Sequence, residues 1–189
     1  MFVTGQSGLT ADGYVAQLKS LFGANAGAVL ARYPLSAYAK PFYALAAVMT
    51  DGGIGIACAV NATATELAPQ TTVYRYEFND PTSPTLYGFQ PPGIDMSNAH
   101  SAELAYLFGF TLGYRPLTAY ERALSYQMIR YRAAFARAGR PQVPGQPAWP
   151  RFTGATHRAL ILRPSGDTVS AGTAGEHNCA FWSSLPSSS

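Results

Sequence analysis

The chain has 189 residues, of which 48% are hydrophobic and 13% aromatic, enough to bury one substantial core and unlike a disordered segment. Charged residues make up 12%, and the net charge of +3 comes from scattered arginines rather than a basic stripe, which argues against a nucleic-acid partner. No run of about eighteen apolar residues offers a membrane span, and "MFVTGQSGLTADGY" lacks the charged and apolar regions of a signal peptide. If the chain ends a longer one, that lack says nothing about secretion.

Phe2 to Gly8 reads as an extended entry broken at Gly5 and Gly8. The run "GQSGL" imitates a nucleophile elbow, which needs glycine two residues either side of its serine. Around Ser7 those places hold Gly5 and Leu9, so an ordinary glycine-rich turn is expected. Leu9 to Leu21 follows as a helix with Thr10 as N-cap, one apolar face of Leu9, Tyr14, Leu18 and Leu21, and Gly23 closing it. A short helix from Asn25 to Tyr33 stops at Pro34. Pro41 to Ala68 is Ala-rich and apolar, two packing helices broken at Asp51-Gly52-Gly53.

Val73 to Phe78 alternates apolar and polar residues as a strand does, and a loop with Pro81, Pro84, Pro91 and Pro92 leads from it to Asn98-Ala99-His100. Ser101 to Phe108 then returns apolar residues every three or four positions, one or two helical turns. The order strand, long loop, histidine, short helix presents the His100 imidazole at a loop tip above the end of a sheet, a placement suited to a general base. The longest helix runs from Leu117 or Thr118 to Ala138 with Tyr120, Leu124, Met128, Tyr131 and Phe135 on its face, a capping box from Thr118 to Glu121, and Gly139 as C-cap. His157 to Pro164 reads as a late strand near the sheet edge, Glu176 to Leu185 as a closing helix, and "SSS" as a frayed tail. The two cysteines, Cys58 and Cys179, have no metal spacing and leave two buried thiols or one bridge as alternatives.

The stretch "DMSNAHSAELAYLFGF" after a "VYRYEF" strand resembles the region that carries the catalytic histidine in type B carboxylesterases, the group that includes cholinesterases. The likeness extends in family order through "TDGGIGIAC", "YQMIRYRAAFARAGRP", "PAWPRF" and "EHNCAFW", but only to the C-terminal third or so of such an enzyme. It implies a partial α/β-hydrolase fold: one domain over residues 1–189, a few C-terminal strands with covering helices, and an open sheet edge. It also implies His100 as the triad base and a Cys58–Cys179 disulfide, hence a secreted or extracytoplasmic protein. Met1 stands where the orienting acid is expected, and Glu103 is better placed to hold the turn after His100 than to orient its ring. Arg132 replaces the tryptophan usual after the tyrosine, which should weaken local packing. His157 and His177 are expected to be structural.

Two functions follow from this reading. One is a serine carboxylic-ester hydrolase acting on a small-molecule ester without cofactor or metal, whose nucleophile, oxyanion glycines and orienting acid lie outside these residues. The other is a catalytically inactive α/β-hydrolase-like binding or structural module.

Overall fold

The computed structural model describes residues 6–53, 56–85, 90–109 and 115–186. The extended entry expected from Phe2, the acid position at Met1, Gly5 and the serine tail lie outside them. The chain divides into two compact units, one built from residues up to Thr63 together with Gly172 onward, the other from Ala64 to Ala171.

The first unit is helical. Helix α1 (Ala11–Phe22) starts where Thr10 leaves the helical backbone and its Oγ1 accepts the Gly13 N–H at 3.1 Å, and it ends at Gly23, whose φ of +50° favours a residue without Cβ. Helix α2 (Ala26–Arg32) follows, and α3 (Pro41–Val48) opens with Pro41 in its first turn, where the missing N–H costs nothing. Tyr14, Leu18, Val29, Tyr33, Phe42, Leu45 and Val48 form the buried core. The Tyr14 hydroxyl donates to the Tyr33 carbonyl at 2.8 Å, and burial followed by the influence of Tyr38 pushes that phenol up to about 12.

The break expected at Asp51 is a single wide helical turn, Met49–Gly53, before α4 (Ile56–Leu67), whose last residues belong to the second unit. By length and composition the stretch Pro41–Leu67 is apolar enough to cross a membrane, although Thr50, Asp51 and the glycines interrupt its apolar run. Phe42, Ala44, Leu45 and Val48 of this stretch are nonetheless buried in protein.

The expected closing helix is two short ones, α7 (Thr173–Glu176) and α8 (Cys179–Ser184). Asn178 between them has φ of +55°, a conformation that interrupts a helix and that asparagine tolerates better than most residues. Cys179 is disulfide-bonded to Cys58 with Cα atoms 5.3 Å apart, inside the roughly 7 Å that such a bond can span.

The second unit holds a three-stranded sheet in the order β1 (Tyr76–Phe78), β2 (Ala159–Leu162), β3 (Thr168–Ser170). β1 runs parallel to β2, with Tyr76 opposite Leu160 and Phe78 opposite Leu162, while β3 returns antiparallel. The late strand is therefore central rather than near the edge, and all four of its residues are buried. Gly166 at φ +116° turns the chain into β3, a short polar strand with no apolar pattern to announce it. The first strand is shorter than its alternation suggested, because Val73 pairs separately with Phe152 in an isolated antiparallel bridge.

Helices α5 (Glu103–Phe108) and α6 (Ala119–Ala138) complete this unit. Ala105, Tyr106, Leu124, Met128, Tyr131, Trp149, Leu160 and Leu162 form its core. The face read on α6 is right at Leu124, Met128 and Tyr131, but Tyr120 is 76% exposed and Phe135 47%. Both lie off the buried arc, whose other members are Glu121 and Ala134. Arg132 lays its guanidinium 4.8 Å above the Tyr76 ring, a cation–π contact at the position where packing was expected to weaken.

Candidate active site

His100 is exposed in the loop that joins β1 to α5. Ile94, Met96 and Ala102 are buried on either side of it, so the loop is anchored by apolar residues while its tip faces solvent. The tip is built from short local bonds: the Ser97 N–H donates to Asp95 Oδ1 at 2.9 Å and the Ala102 N–H to the Ala99 carbonyl at 2.9 Å. Asn98 and Ser101 take φ of +56° and +72°, the left-handed conformation that costs an L-residue about 1 kcal/mol or more. Such a backbone persists only where its surroundings impose it.

Those surroundings centre on the turn Asp80–Ser83. Asp80 is 1% exposed and accepts the Thr82 N–H at 2.9 Å, the Thr82 hydroxyl at 2.8 Å and the Tyr106 hydroxyl. Burial and then Asp80 push the Tyr106 phenol far above its ordinary range, so it remains a donor. Ser83 Oγ accepts the Asn98 N–H at 2.8 Å, and the Ser97 hydroxyl lies 2.6 Å from the Pro81 carbonyl. Arg115 reaches the Thr82 carbonyl and pairs with Glu121 at 2.6 Å and 2.8 Å. Burial opposes ionisation of Glu121, but Arg115 and the Thr118 cap outweigh it and hold the carboxyl below the usual glutamate range. A cavity of about 440 Å³ opens beside this turn, with Ser83, Asp95, Ser97 and Arg115 on its wall.

The remaining sequence candidates fall elsewhere. Glu103 is the first residue of α5. Ser7 sits in an exposed turn closed by the Leu9 N–H on the Gln6 carbonyl, with a helix after it. His157 takes φ of +49° and meets the Phe152 ring edge-on at 5.6 Å. His177 Nδ1 lies 2.7 Å from Asp51 Oδ1 in the first unit, beside the disulfide. Asp51 also accepts the Tyr33 hydroxyl at 2.8 Å, and Tyr33 receives the Trp182 indole N–H at 2.7 Å. Among the described residues no cluster of three or more His, Cys, Asp or Glu side chains could hold a metal ion.

The acids that organise the two units, Asp51 and Asp80, are absent from the sequence candidates. Asp80-Pro81-Thr82 carries a turn signal at the head of the proline-rich loop and Asp51 interrupts an apolar run, and neither local pattern marks an acid that gathers distant partners.

The sequence profile of the Carboxylesterase family matches residues 20–182. Carboxylesterase 4A of Bos taurus is 36% identical over 80 residues, 42% of this chain and 14% of the bovine protein. Cocaine esterase of Homo sapiens is 40% identical over 114 residues, 58% of this chain and 19% of that protein. Acetylcholinesterase of Bungarus fasciatus is 31% identical over 138 residues, 69% of this chain and 21% of the snake protein. The matched stretches thus span no more than about a fifth of these relatives. With most of its length under the family profile, and with many helices and a small mixed sheet, the protein belongs to the carboxylesterase family.

Proposed function

We propose that this chain supplies the general base, His100, of a serine carboxylic-ester hydrolase whose nucleophile and orienting acid come from residues outside these 189. The observation that carries the reading is the exposed His100 on a constrained loop between β1 and α5, inside the segment matched by the family profile. In that chemistry an imidazole removes the serine proton, the alkoxide attacks the ester carbonyl, and the imidazolium then protonates the departing alcohol. The substrate is a small-molecule ester, in keeping with the names of the relatives. An extracytoplasmic location is supported by the disulfide, a bond that persists in oxidising compartments. We read residues 41–67 as two packing helices rather than a span, since Asp51 at their junction is buried against Tyr33 and His177.

The test has two arms. The purified 189 residues show no saturable hydrolysis of a short-chain p-nitrophenyl ester, because neither nucleophile nor oxyanion donors are supplied. Saturable turnover lost on Ser7→Ala would reject the assignment. In the whole protein that carries this chain, His100→Ala lowers kcat by about four orders of magnitude. An unchanged kcat there rejects His100 as the base, and a whole protein without esterase activity is the outcome expected of the inactive binding module.

A further inference from the structure

We infer that the turn Asp80–Ser83 is the positioning element of His100, a role that rests on the reading of His100 as general base. The turn acts on His100 through the backbone of the loop that carries it.

Four links make the case. Ser83 Oγ accepts the N–H of Asn98, two residues before the histidine, at 2.8 Å. Asn98 is itself one of the two left-handed residues that bracket His100, so this bond holds the backbone where it is least favourable. The Ser97 hydroxyl is shared between the Pro81 carbonyl at 2.6 Å and Asp95 Oδ1 at 2.7 Å, a second tie on the same side of the tip. Asp80 is buried at 1% exposure and bonded to the hydroxyl of Tyr106, six residues after His100 and 0% exposed, which fixes the turn to α5 on the other side. Arg115 then ties the Thr82 carbonyl to Glu121 at the start of α6.

The histidine loop is thus held before and after its tip by one four-residue turn, which is in turn held by two helices. Ser83 is 3% exposed, so water cannot easily replace its contribution when it is removed. An imidazole that must meet a serine hydroxyl within hydrogen-bond reach loses rate steeply with small displacements, by about a hundredfold for one of about 1 Å. Asp80 and Ser83 are positioning residues by this argument.

The experiment is made on the whole protein that carries this chain, with hydrogen exchange by mass spectrometry and steady-state kinetics on a p-nitrophenyl ester. Ser83→Ala speeds exchange across residues 95–102 by about tenfold and leaves peptides from β2 and α6 unchanged. It lowers kcat by about 10- to 100-fold with KM held, and Ser83→Thr, which keeps the hydroxyl, restores both. Asp80→Asn gives a smaller loss of the same kind, since one acceptor oxygen is kept. Unchanged exchange at residues 95–102 overturns the proposal, as does a change spread equally over β2 and α6, which marks general destabilisation. His100→Ala separates the two ideas: if it leaves kcat intact the base assignment fails, while the exchange pattern still decides whether the turn holds the loop.

Discussion

Glu121 illustrates how one side chain serves two partners. It is 1% exposed, caps α6 by accepting the Thr118 N–H at 2.6 Å, and neutralises Arg115. Its folded pKa lies below the unfolded value, so its contribution to stability is present above about pH 4.3 and is lost as pH falls through the folded pKa. Glu121→Gln should therefore cost about 1–3 kcal/mol at neutral pH, with the gap to wild type closing in more acidic solution. Urea titrations at neutral and acidic pH check this, and a gap that does not narrow on acidification contradicts it. Gly52 makes the opposite kind of demand. A Cβ there would overlap the indole of Trp182, so Gly52→Ala should destabilise by about 1–3 kcal/mol and shift tryptophan emission. An alanine variant with unchanged melting temperature and emission would show that the indole moves aside at no cost.

Among the elements, the C-terminal pair α7 and α8 depends most on long-range chemistry. Four to six residues cannot hold a helix alone in water, so these turns persist through the contacts of Cys179, His177 and Trp182. The disulfide closes a sequence separation of 121 residues, which the chain-entropy account values at about 4–5 kcal/mol. Paired Cys58→Ser and Cys179→Ser replacement should lower the guanidinium midpoint accordingly and should speed exchange first in residues 172–186. A midpoint that does not move would mean that the polar network around Asp51 holds this segment unaided. Helix α6 is the contrasting element: twenty residues, a capping box at Thr118 and a left-handed Gly139 make it legible from local signals alone.

At the scale of the molecule, each unit places a buried carboxylate where the chain returns to itself. In one, Asp51 gathers Tyr33 and His177; in the other, Asp80 gathers Thr82 and Tyr106. Burial followed by Asp51 raises the Tyr33 phenol well above its ordinary range, so it is protonated at neutral pH and donates to Asp51. Asp51→Ala should destabilise by about 3–5 kcal/mol, because it leaves buried donors without their acceptor. A loss below about 1 kcal/mol in a urea melt would show that water fills the site.

Local chemistry settled much of this protein in advance. Caps at Thr10 and Thr118, stops at Gly23 and Gly139, and the apolar stripe of Leu124, Met128 and Tyr131 depend on neighbours within a few positions, so they are written in the sequence. The order of strand, loop, histidine and helix around His100 was legible for the same reason. Only the tertiary structure decided that β2 is central, that a polar β3 covers its far side, and that Asn178 splits the closing helix. It alone brought Ser83 to Asn98, Asp80 to Tyr106 and Asp51 to His177. These pairs join residues 15 to 126 positions apart, and hydrogen bonds across such separations leave no periodicity to read.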